Sequence, residues 1–204
     1  MKTGLHTHLR RSLSVAAVGT MALAMTACTG RGGGQLPPDG IVFKGAATFG
    51  FDFSCEDNST SQNSPPGQLH IQLSYSDRGS NVIGSSFSIH GIADTIDPVI
   101  ESMYCIGQDP PPVPNELIFV GRYRLTSSPP AGFPSSCPAR ETQSTPLCRF
   151  EVVVRDSDMN RAPSTGDYFQ IRLSSGTVLD DELDVATVFY TRAGLLSSGN
   201  LTVD

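Results

Sequence analysis

Apolar and polar residues alternate with period two along most of this chain. Ile41, Phe43, Ala47, Phe49, Phe51, Phe53 and Cys55 fall on odd positions, with Lys44, Thr48, Asp52 and Ser54 between them. That pattern predicts a strand with one buried face, bent at Gly45 or Gly50. Leu69, Ile71, Leu73 and Tyr75 repeat it against Gln68, His70, Gln72 and Ser74. After turn residues at Asp77 to Ser80 come Ile83, Phe87 and Ile89. Leu117, Phe119, Tyr123 and Leu125 point one way and Arg122 and Arg124 the other. Phe150, Val152 and Val154 alternate, as do Phe169, Ile171 and Leu173, and shorter candidates lie at 185–191 and 201–203. Helical spacing occurs only at Ile96, Val99, Ile100 and Met103. About eight strands, separated by long Pro/Ser-rich loops, predict an all-β fold, an antiparallel β-sandwich or jelly-roll-like domain over residues 40–204.

The N-terminus follows another rule. Lys2, Arg10 and Arg11 precede an apolar run over 13–25, with no acid before Cys28. The run has the length of a signal-peptide core and falls short of the roughly 20 residues a spanning helix needs. It ends in Met25-Thr26-Ala27-Cys28, which resembles the lipobox of bacterial lipoproteins, with Met25 where leucine is usual. The resemblance implies that residues 1–27 are removed as a signal peptide and that Cys28 receives the lipid. The protein is then extracytoplasmic, held on the bacterial cell membrane or outer membrane by acyl chains worth about 0.8 kcal/mol per buried CH₂. Arg10-Arg11 also loosely resembles a twin-arginine export signal. Residues 28–39, rich in glycine and ending in two prolines, read as the lipidated cysteine and a flexible tether.

Removing the leader takes away three of the 14 basic residues and none of the 20 acids, which leaves a net charge of −9. Such a chain repels phosphate backbones, so no nucleic-acid partner is expected. The five cysteines are an odd number. Assigning Cys28 to lipid leaves Cys55, Cys105, Cys137 and Cys148, and predicts two disulfides in an oxidising compartment. The short Pro-rich loop between Cys137 and Cys148 favours that pairing, leaving Cys55 with Cys105. The spacings do not suit zinc.

Asp156, Asp158 and Asn160, with Asp167 eleven residues after the first, follow the ligand spacing of a twelve-residue calcium loop. Arg161 at the glycine position, Asp167 in place of glutamate and flanking strands all depart from an EF-hand. The reading that survives is calcium in a hairpin loop, weighed against an ordinary solvated turn. His70 and His90 lie on outward parity. A hydrolase could use either, although no Gly-x-Ser-x-Gly elbow occurs. Nothing singles out a carboxylate pair among Glu101, Glu116 and Glu182. The chain has no tryptophan, so glycan stacking would fall to Tyr104, Tyr168 or Tyr190.

Gly45 to Phe51, Gly166 to Arg172, Tyr190 and Gly199 to Val203 together resemble the post-COAP domain family. The resemblance implies a small all-β module of bacterial surface proteins, and it supplies no catalytic residues. The sequence thus predicts a lipid-anchored, non-enzymatic surface module, structural or adhesive, with a surface glycan or protein as ligand. A small extracytoplasmic hydrolase and a calcium-dependent glycan-binding module are the alternatives.

Overall fold

The computed structural model describes residues 28–55, 69–93, 115–126, 128–142, 144–157, 166–178 and 183–203. They form nine strands: β1 (Cys28–Leu36), β2 (Ala47–Cys55), β3 (Leu69–Asp77), β4 (Phe87–Ile92), β5 (Glu116–Leu125), β6 (Cys148–Arg155), β7 (Tyr168–Ser174), β8 (Val188–Leu195) and β9 (Ser198–Val203). All pairings are antiparallel, in one sheet of order β8-β7-β6-β5-β4-β3-β2-β1-β9. The all-β antiparallel prediction holds. The arrangement, however, is a meander in which β1 to β7 each pair with the next strand and β9 returns to pair with β1, curled into a half-barrel without the crossings of a jelly roll.

Curling lets one sheet fill its own interior. Phe49 of β2 stacks on Phe169 of β7 at a centroid distance of 3.7 Å, and Phe53 and Phe51 meet Phe119 of β5 at 5.4 and 5.5 Å. Phe87 of β4 meets Tyr190 of β8 edge-on at 5.1 Å. Each pair adds about 0.5–1.5 kcal/mol beyond the area it buries. The inward residues are those of the period-two pattern, and Phe119, Phe150, Val152, Phe169, Ile171 and Leu173 have no exposed surface at all.

Strand boundaries shift where side chains capture the backbone. The alternation suggested a strand starting near Ile41, yet Ile41 is 78% exposed and lies in the loop before β2. Asp39 Oδ1 accepts hydrogen bonds from the N–H groups of Ile41, Val42 and Phe43 at 2.9, 2.9 and 2.8 Å. These donors, Phe43 foremost, hold the Asp39 carboxyl below its ordinary pKa. A carboxylate that takes three successive amides leaves none for a ladder. Similarly, Ser80 Oγ accepts from the Val82 and Ile83 amides, so Ile83 is buried in a turn ahead of β4. Asp184 caps a 3-10 turn at Val185–Thr187, which delays β8 to Val188. The helical candidate at 95–103 lies outside the described residues.

The largest departure concerns the expected tether. Residues 28–36 are β1, an interior strand paired with β2 along its whole length and with β9 from Gly30 to Gln35. Glycine allows this by its lack of a side chain. A Cβ on Gly32 would lie 2.5 Å from the Asn200 carbonyl oxygen and 2.9 Å from Leu201 Cδ2, and one on Gly30 would collide with Leu117. The glycines are therefore fitted to close neighbours. Gly32→Val should destabilise the fold by about 1–3 kcal/mol through overpacking, lowering Tm by several degrees in a chain of this size. A free tether would show no change in the thermal melt.

Candidate functional site

The most elaborate polar cluster lies inside the curl, where β8 comes back towards β1. Arg192 sits on the same face of β8 as Tyr190, and its side chain is 2% exposed. Its Nη1 donates to Asp77 Oδ2 at 2.8 Å, and its Nη2 donates to the carbonyls of Pro37 and Gly45, both at 2.9 Å. The guanidinium also stacks over the Phe43 ring, 4.5 Å from its centroid. Asp77, wholly buried, accepts from Tyr190 Oη at 2.6 Å and from the Gly79 amide at 2.8 Å, while Tyr75 and Tyr190 share a hydroxyl contact of 2.5 Å. Burial works against the charge on Arg192, but the hydrogen bond to Asp77 and the neighbouring oxygens hold its pKa above the ordinary value.

Nearly every donor and acceptor in this cluster faces another within it. The cluster is a clasp joining β3, β8 and the β1–β2 connection. Removing one partner leaves the other charged and buried. Arg192→Met should cost roughly 3–5 kcal/mol in urea unfolding, and the double variant Asp77→Leu/Arg192→Met should recover much of that loss.

A second stitch closes the same seam lower down. Asp167, one end of the candidate calcium loop, is fully buried. Its Oδ1 accepts from the Ser157 amide at 3.1 Å and from Ser157 Oγ at 3.2 Å, and its Oδ2 accepts from the Leu201 amide at 2.9 Å. Asp156 is buried nearby, its amide bonded to the Asn115 carbonyl at 2.9 Å. Asp158 and Asn160 lie outside the described residues. Among the described residues, no group of three or more His, Cys, Asp and Glu is placed to hold a metal ion. Asp167 thus has a structural task that the loop spacing did not reveal.

Cys137 and Cys148 are disulfide-bonded, with Cα atoms 5.2 Å apart, as the loop length predicted. Tyr123 Oη donates to the Ser174 carbonyl beside them. Cys105 lies outside the described residues. Cys55 ends β2, and its Cα partner across the ladder is Cys28, the first residue of β1. His70 is exposed opposite Ser54, and His90 lies between Ser74 and Arg124, so both histidines are on the outer face as expected. Glu116 is buried and paired with Arg155, while Glu101, Glu182 and Tyr104 are outside the described residues. Tyr190 is committed to the clasp, and half-buried Tyr168 lies under Arg155 at 5.2 Å.

A cleft lies on the outer face of β6, beside the β7–β8 connection. It has a volume of about 590 Å³ and is lined by Arg149, Ser174, Gly176, Val178, Asp184 and Thr187, among others. Arg149 is on outward parity yet only 2% exposed, because the connection folds over it and the Val178 carbonyl accepts from its Nη1 at 3.0 Å. Ser174 Oγ and Thr187 Oγ1 are 2.5 Å apart on the wall, and Gly176 donates its amide to Ser174 Oγ. The rim carries Val178 and Val185, 77% and 75% exposed. A charged floor, hydroxyl walls and an apolar rim suit a ligand with both polar and apolar parts. Arg122, directly opposite Arg149 in the ladder, is likewise covered, by the β5–β6 connection, and pairs with Glu141 at 2.6 Å.

Scans against protein-family models, curated proteins and solved structures found no match. Residues 45–51 and 166–172 fall largely in β2 and β7, where Phe49 stacks on Phe169.

Burial pushes the phenols of Tyr75, Tyr123 and Tyr190 well above their ordinary pKa. The unfolded chain gives up these protons near pH 10 while the folded chain keeps them. Their contribution is therefore intact below about pH 10 and lost as the pH climbs above it. In an alkaline titration followed by phenolate absorbance, these three of the five tyrosines should ionise only together with unfolding.

Proposed function

We propose that this chain is a lipid-anchored, extracytoplasmic binding module that carries out no catalysis. The observation that carries this reading is the Cys137–Cys148 disulfide, in a chain opening with a signal-like leader and the lipobox-like Met25-Thr26-Ala27-Cys28. A bond of that kind persists in oxidising compartments and is rare in reducing ones. In this reading attachment is by acyl chains on Cys28, the cysteine that closes the lipobox-like motif. Two or more chains are needed for stable anchoring.

The binding half of the proposal is supported by the cleft over Arg149, with its ring of polar groups and exposed valines. A surface glycan or a protein segment is the ligand in this reading.

Mass spectrometry of the chain extracted from membranes should show the loss of residues 1–27, acyl groups on Cys28 and an intact Cys137–Cys148 pair. Cys28→Ser should move the protein to the soluble fraction without altering its fold. An unmodified Cys28 in a membrane-free protein would overturn the reading.

A further inference from the structure

The register fixes which end of the sheet an anchor on Cys28 would occupy. Cys28 is opposite Cys55, and Cys55 is opposite Leu69, so β1 begins where β2 ends and β3 begins. Ser54, next to Cys55, is opposite both Thr29 and His70, so His70 lies at that same end. Val203 closes β9 beside Gly30, near the same end. The opposite end holds the connections 37–46, 78–86, 126–147 and 175–187. These include the disulfide, the Asp39 turn and most of the lining of the Arg149 cleft.

A twelve-residue tether over 28–39 would reach about 40 Å and leave orientation free. The structure removes that freedom, since the ladder starts at Cys28 itself and β1 pairs with β2 at every residue. We propose that the sheet stands directly on the bilayer by the end at which β1 begins, with the disulfide loop and cleft held away from the lipid. This rests on lipid attachment at Cys28, proposed above. Nine residues of β1 rise about 30 Å, so the two ends lie at clearly different distances from the lipid headgroups.

The absence of tryptophan makes the test direct. Single tryptophans are placed at exposed His70 or at Val203, near the anchored end, and at Ile41, 78% exposed at the other. The full acylated chain is reconstituted in phosphatidylcholine vesicles containing nitroxide-headgroup lipid, with each variant checked for native circular dichroism. Two positions at the anchored end guard against one substitution preventing folding. Fluorescence at 70 or 203 should be quenched several-fold more than at 41. Equal quenching, or stronger quenching at 41, in protein that floats with the vesicles would overturn the orientation while leaving the anchor intact. Protein that carries no acyl group and does not float would remove the anchor and the orientation together.

Discussion

The ion pair between Arg192 and Asp77 holds together a sheet that has no ladder at its seam. A meander ends in two edges, and here β8 and β9 are those edges, joined by the short connection after Leu195 and left unpaired with one another. No continuous backbone ladder therefore closes the curl. Arg192 does so by reaching from β8 to Asp77 of β3 and to the carbonyls of Pro37 and Gly45 just beyond β1. The Asp167 bond to Leu201 and the Ser197 amide bond to Gln35 complete the seam below it. A buried pair of this kind contributes little net stability but is costly to break singly.

Closure in turn explains the glycines of β1 and the aromatic interior. Once the edges meet, β1 lies close against β9 and over Leu117, and only residues without a side chain fit at Gly30 and Gly32. The rings of Phe49, Phe169, Phe119 and Tyr190 then fill the space that the facing halves of the sheet enclose. The outer face remains available for function. There the long connections fold over Arg122 and Arg149, so outward parity in β5 and β6 does not mean exposure.

Much of the fold was legible because period-two alternation survives wherever one face is buried, as in β3, β5, β6 and β7. The Cys137–Cys148 pair was legible from its short loop. β1 was not, because a run of glycines has no side chains to alternate and reads as a linker. Arg192 was missed since a charged residue on a strand is assumed to face water. The available signal was its shared parity with Tyr190. Asp77 looked like a turn residue and Asp167 like a calcium-loop or turn residue, and their burial depends on contacts more than 100 and 30 residues away, to Arg192 and Leu201. No local pattern records such partners.

β1 also carries a consequence for the order of events in the cell. Among the described strands it is the first to be made, and one of its two neighbours, β9, is the last. Until residues 198–203 arrive, β1 presents an open edge and the seam has no second side. Long-range pairing of this kind is slow to form. The sheet therefore cannot close until residues 198–203 have been added, however early β1 is made.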